Sequence, residues 1–144
     1  MHPNAILAPE MDYLYTTLSS IKDAGQGLFT AIKIYKDEII SVYTGELLSS
    51  KESIRRAESN ENQYFIALLS GKILDSKHTP GFAKYANDAH LSLFQNNAKI
   101  ALNDKNQACL IATKNIAPYT EIFTSYGKAY WLAQSKLNNK KQVY

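Results

Sequence analysis

Short apolar runs broken by polar turns dominate the hydrophobic pattern of this chain. Residues 28–32 and 38–43 are β-branched or aromatic and are separated by the polar pair Lys36-Asp37, the pattern of two short strands. Residues 63–69 and 72–75 flank Ser70-Gly71 and read as a hairpin, with Gly71 supplying the positive φ of a tight turn. Residues 98–102 and 107–113 are two further strands, joined by the turn-forming run Asn103-Asp104-Lys105-Asn106. A final strand is expected over residues 121–125. Helical signals are few. Ser49-Ser50-Lys51-Glu52 has the spacing of a capping box and predicts a polar helix running to Asn60, and residues 128–136 are a second helical candidate. Residues 1–12 carry two prolines and little periodicity and read as a loose lead-in, with regular structure starting near Tyr13. Residues 76–97 are rich in turn formers and are expected to be irregular, with one short helix near Ala83. Many short strands without βαβ alternation indicate a mainly β fold with several small sheets and one or two short helices.

Composition narrows the class. A chain of 144 residues has room for one domain, and its 45% hydrophobic and 20% charged residues exclude intrinsic disorder. The net charge of +3 comes from 16 basic and 13 acidic residues that are interspersed except in the lysine-rich stretch 136–141, which reads as a solvated end. No concentrated basic stripe marks the chain as a nucleic-acid binder, so direct nucleic-acid binding is not expected. The single cysteine, Cys109, lies in an apolar run and reads as a small core residue, which fits a reducing compartment. No apolar stretch approaches membrane-spanning length, and the first residues lack the pattern of a secretory signal. A cytoplasmic or nuclear protein, neither secreted nor membrane-bound, is the expectation.

Candidate chemistry clusters in three places. Gly25-Gln26-Gly27 lacks the third glycine and the lysine of a nucleotide-binding loop, and taken alone it is a turn. Asn87-Asp88 sits in a polar island and, taken alone, is a turn or a cap. Tyr126 is one of ten tyrosines, and a tyrosine before glycine at a strand end is ordinarily a packed aromatic. His78 and His90 lack the mutual spacing of a metal site, and Glu46 and Glu121 stand apart from any carboxylate partner.

Order and spacing change these readings. Gly25-Gln26-Gly27-Leu28-Phe29 is followed by Val42-Tyr43-Thr44-Gly45 and then by Lys84-Tyr85-Ala86-Asn87-Asp88. Asn96-Asn97-Ala98 and Glu121-Ile122 with Tyr126-Gly127 complete the series. Together these pieces resemble the SET domain, a family of protein lysine methyltransferases that use S-adenosylmethionine. The resemblance runs from about Leu18 to Trp131, giving a lead-in over residues 1–17, the domain over 18–131 and a tail over 132–144. It departs from the family pattern at Lys84 (for Arg), Asp88 (for His), Asn96 (for Pro) and Ser125 (commonly Asp).

The resemblance implies small sheets around a pseudoknot, where the Asn-containing segment and the final Tyr segment pass each other. It assigns Lys22, Gly25, Gln26, Gly27, Lys84, Tyr85, Asn87, Asp88 and Tyr126 to the cofactor, while Trp131, in the absence of a zinc cluster, reads either as an aromatic lid on the adenine or as a hydrophobic anchor for a terminal helix. Tyr126 is the catalytic residue, with Tyr43 beside it as a wall of the lysine channel. Tyr43, Glu46 and Thr124 face the substrate, with Thr124 at the position that limits methyl number. No metal is required for this transfer, and the zinc-binding cysteine cluster of many SET proteins is missing here. The implied function is S-adenosylmethionine-dependent protein-lysine N-methylation, with a basic segment such as a histone tail as partner. A homodimer that completes the site is compatible with so short a chain. The alternatives are a SET-like binding module without transferase activity and a basic nucleic-acid or chromatin adaptor.

Overall fold

A computed structural model describes residues 4–68, 71–105 and 107–125. The strands along the chain are β1 (Asn4–Ala5), β2 (Leu14–Leu18), β3 (Gln26–Thr30), β4 (Glu38–Val42), β5 (Glu46–Leu48), β6 (Phe65–Ala67), β7 (Ile73–Asp75), β8 (Ala98–Leu102), β9 (Ala108–Ala112), β10 (Thr120–Ile122) and β11 (Thr124–Ser125). Among the described residues one α-helix, α1 (Ser50–Glu58), and 3-10 turns at Glu10–Asp12 and Ala83–Tyr85 accompany these strands. The fold is mainly β, as the pattern of short runs predicts. The described residues form two compact units, one from residues up to Tyr43 with Gly81–Ser125, the other from Thr44–Pro80.

The first unit contains two sheets. The larger has the order β1-β4-β9-β8-β11 and the smaller β10-β3-β2. All five residues of β9 are buried, which explains why the sequence there is a continuous apolar run and not an alternation. Leu28, Ile34, Ile40, Leu110, Ile116 and Ile122 are among the largest fully buried side chains, and each contributes about 1.5–3 kcal/mol by leaving water. Cys109 is buried among them, and burial pushes its thiol pKa up, which keeps it an unreactive core residue.

Two expectations need correction here. Residues 4–12 are not a loose lead-in. β1 pairs in parallel with β4, and the Glu10 carboxylate accepts hydrogen bonds from Ser41 Oγ (2.5 Å) and Val42 N (3.1 Å). The Glu10 contacts lie beside a register shift in the β4–β9 pairing, between Ile39 and Ser41. Tyr13 adds a second tie, donating its hydroxyl to Ile40 O at 2.7 Å. Burial first, and then the charges of Glu10 and Glu38, raise the pKa of that hydroxyl, so it remains a donor.

The second correction concerns residues 121–125, expected as one strand. They form two, because β10 pairs with β3 in one sheet while β11 pairs in parallel with β8 in the other. Phe123 is the hinge residue between them. Its N–H donates to Asn97 Oδ1 (2.8 Å), and its carbonyl accepts from Asn97 N and Ala98 N (3.0 Å each). Here the final strand passes the segment that holds Asn87, to which Phe123 forms a parallel bridge.

The second unit is the sheet β5-β7-β6 with α1 beside it in the chain. The hairpin of β6 and β7 forms as expected, with Gly71 at φ 88°. The capping box forms in part: Ser49 Oγ accepts from Glu52 N at 3.1 Å, while the Glu52 carboxylate binds Arg55 and Arg56. Arg56 joins three carboxylates, Glu52, Glu46 and the fully buried Asp75, the last at 2.8 Å. Among the described residues no helix is long and apolar enough to cross a membrane.

Arg56→Met is expected to lower the urea midpoint, because it leaves Asp75 buried without its cation. Adding Asp75→Asn should recover part of the loss; an unchanged midpoint in the single variant would show the cluster to be idle. The same ion pairs lower Glu52 from 4.5 to about 2, the hydrogen bonds from Arg55 and Arg56 being the chief cause. A depressed folded pKa gives stability that is present above about pH 4.5 and lost as the pH falls towards 2. Glu52→Gln should therefore flatten stability against pH in that window, measured by urea unfolding at stepped pH.

Candidate functional site

The site begins with the turn between β2 and β3. Gly25 adopts φ 73°, a conformation that glycine takes without steric cost, and its carbonyl accepts from Ser19 N at 2.8 Å. A side chain added at Gly25 would meet nothing within 4 Å among the described residues. Gly25 and Gln26 are exposed, as is Lys22 just before them.

Gly27 is constrained differently. It is buried, and a Cβ placed on it would lie 2.3 Å from Glu121 Oε2 and 3.2 Å from Ser19 Cα. The missing side chain therefore makes room for a carboxylate. Glu121 is only 4% exposed and accepts from Ser19 Oγ (2.7 Å) and from Ser20 N (2.7 Å). Neutral donors thus satisfy a buried anion, and in doing so they fasten the glycine turn to β10.

Asn87 connects the turn to the last strand. Its Nδ2 donates to Gln26 O at 3.0 Å, and its own carbonyl accepts from Thr124 N at 2.9 Å. Asn97 completes the junction: Nδ2 donates to Glu121 O at 3.0 Å while Oδ1 accepts from Phe123 N. Asp88 Oδ1 accepts from His90 N (2.9 Å) and from Asn96 Nδ2 (3.2 Å). Lys84 and Tyr85 lie on the 3-10 turn before Asn87, the ammonium 5.3 Å from the Tyr85 ring centroid.

Tyr43 ends the run after β4, is 6% exposed, and donates its N–H to Ala108 O at 2.9 Å. Thr124 has no exposed surface, and its hydroxyl has no hydrogen-bond partner among the described residues. Glu46 belongs to the other unit, where Arg56 binds its carboxylate at 3.2 and 3.4 Å. Tyr126 and Trp131 lie outside the described residues.

Hydrogen bonds thus join Gln26, Asn87 and Thr124 in one network, with Gly27 packed on it through Glu121. Sequence reasoning did not assign site roles to Ser19, Ser20, Glu121 or Asn97. A usable signal existed for Glu121 and Asn97: each is a polar residue on the edge of an apolar run, where a buried polar group needs partners. Nothing marked the two serines.

Lys22 and Gln26 are thus exposed at the turn, and Asn87, half-buried, is bonded to the Gln26 carbonyl beside them.

Comparison with known proteins gives concordant results. A family model described as the SET domain matches residues 25–127. Over 88 residues the chain is 26% identical to a Histone-lysine N-methyltransferase SUV39H1 of Xenopus laevis, covering 61% of this chain and 21% of that protein. A structure of ctPRC2 in an autoinhibited conformation bound to S-adenosylmethionine superposes with a TM-score of 0.68 at 27% identity, covering 86% of this chain and 17% of the other. A humanized mutant of the Chaetomium thermophilum Polycomb Repressive Complex 2 bound to an inhibitor gives the same TM-score of 0.68 at 27% identity, over 79% of this chain and 15% of that one. The chain spans about a fifth of the length of these relatives, 15% to 21%.

Gly27→Ala should cost about 1–3 kcal/mol by overpacking against Glu121. In an Glu121→Ala background the same change should cost less. Urea unfolding of the four-member cycle reads the coupling, and additive effects would show that the carboxylate is not what excludes a side chain at Gly27.

Proposed function

The chain belongs to the SET domain family, and from that premise we propose that it transfers a methyl group from S-adenosylmethionine to a lysine side chain of a protein. The observation that supports this reading best is the bond from Asn87 to the Gln26 carbonyl. It ties a cofactor-type turn to a segment that is itself bonded to Thr124, two residues before Tyr126.

S-adenosylmethionine supplies a sulfonium-bound methyl group for in-line displacement by an amine. Lys22 would hold the carboxylate of the methionine moiety, Gln26 and Asn87 would hold its ammonium, and Tyr85 and the backbone of Asp88 would take the adenine. Gly25, Gly27 and Lys84 would complete the cofactor site, and Trp131 is the candidate for a lid on the adenine. Methyl transfer needs alignment more than acid–base chemistry, so residues that fix position do most of the catalytic work.

The lysine amine attacks only when neutral, and in water its pKa is about 10.4. An apolar channel lowers that value by disfavouring the ammonium. Tyr43, which is almost fully buried, would supply one wall of such a channel, and family membership assigns the catalytic hydroxyl to Tyr126. Thr124 is smaller than the aromatic residues common at its position and leaves room for more than one methyl group. The substrate is an extended basic segment, with histone tails the leading class, and the half-exposed carboxylate of Glu46 offers it a complementary charge.

Incubation with methyl-labelled S-adenosylmethionine and core histones, with the label located by mass spectrometry, tests the reading. Label should appear on lysine, and Tyr126→Phe should reduce kcat on the order of 100-fold. Absence of both transfer and cofactor binding would favour a protein-binding module built on the same fold. Tight cofactor binding without transfer would point away from histones to another protein substrate.

A further inference from the structure

Two of the positions where this chain departs from the family pattern, Asp88 and Asn96, touch each other. Asn96 Nδ2 donates to Asp88 Oδ1 at 3.2 Å, and Asn96 Oδ1 accepts from Ala89 N at 2.9 Å. The same Asp88 oxygen accepts from His90 N at 2.9 Å. These bonds close the neck of the excursion between them.

The excursion needs such a closure. Leu91 stands at φ 61°, an unfavourable conformation for a branched, bulky residue, and both it and Leu93 are almost fully exposed. Apolar burial therefore does little to hold this segment. Its internal bonds are local ones, Ser92 N and Oγ to Ala89 O and Phe94 N to Ser92 Oγ, together with a Phe94–Phe123 ring stack at 5.4 Å. Strain of about 1–3 kcal/mol persists only where the surroundings impose it.

We propose that Asp88 and Asn96 act as a paired clamp that positions Asn87, and that the pair sets the affinity for S-adenosylmethionine. Asn87 directly precedes Asp88, and Asn97 directly follows Asn96. The clamp thus fixes the spacing of the two asparagines that bind Gln26 on one side and the Glu121–Phe123 backbone on the other. Asp88 works through Asn87 and is a positioning residue, its Oδ1 bonded at the neck. This inference rests on the proposed cofactor reading.

Calorimetric Kd for S-adenosylmethionine and amide hydrogen exchange over residues 86–97 are measured on the wild type, Asp88→Ala, Asn96→Ala, the double variant and Asp88→Asn. Each alanine variant should weaken binding about tenfold, the loss of one or two hydrogen bonds. The double variant should be no weaker than either single one, and Asp88→Asn, which keeps an acceptor oxygen, should stay close to wild type. In turnover assays KM for the cofactor should rise while kcat holds. Unchanged binding in Asn96→Ala, or Asp88→Asn as weak as Asp88→Ala, would overturn the clamp in favour of a direct charge effect of Asp88. If the wild type does not bind the cofactor, the methyltransferase reading fails by itself. Hydrogen exchange then decides the clamp: equal loss of protection in both single variants and the double supports it, and no loss refutes it.

Discussion

The crossing at Phe123 sets the terms for the rest of the first unit. A chain that leaves one sheet after Ile122 and enters another at Thr124 cannot draw its hydrogen bonds from a single ladder. Buried backbone groups left unpaired cost about 1–3 kcal/mol each. Asn97 resolves this with one side chain, accepting from Phe123 N and donating to Glu121 O, while its backbone serves the Phe123 carbonyl. A primary amide is suited to the task because it donates and accepts from adjacent atoms. Aspartate would lack the donor, and an apolar residue would leave both groups unpaired.

That junction propagates outward through Glu121. The carboxylate beside it could not be buried without donors, and Ser19 and Ser20 supply them from the loop after β2. Gly27 is the steric consequence, since the space of its side chain is taken by the Glu121 oxygen. The two glycines of one short motif therefore have different causes: Gly25 is required by backbone conformation, Gly27 by a buried anion. Asn87 then borrows the fixed Gln26 carbonyl as its anchor. Sheet change, buried acid, glycine turn and site asparagine form one chain of dependence.

How much of this was legible in the sequence follows the range of the interactions. Strands β3, β4, β8 and β9, the β6–β7 hairpin and the N-cap at Ser49 depend on neighbouring residues and were readable from local pattern. The tethering of residues 4–12 was not, because Glu10 bonds residues 31 and 32 positions away in sequence. The break at Phe123 was hidden for the same reason, since an apolar run looks continuous whichever sheet accepts each half. Glu52 was read from its spacing to Ser49, yet two arginines one turn on compete for its carboxylate. For the site, motif order pointed to Gly25, Gly27 and Asn87, whereas Ser19 and Ser20 carry no signal apart from the acid they serve.

The two units also solve the problem of stability differently, and this bears on where precise chemistry can be built. The first has a continuous apolar core of Leu28, Ile40, Leu110 and Ile122, against which polar junctions are held in fixed geometry. Among its described residues the second buries Asp75, Ser76 and Asn62 together with Leu48 and Ile66. There Arg56 binds several carboxylates at once through its planar guanidinium. An ion cluster responds to salt and pH in a way an apolar core does not, and exposed pairs within it are screened. Short hydrogen bonds to backbone groups keep their geometry only on a scaffold that does not yield, so the asparagine and glycine network belongs to the unit with the apolar core.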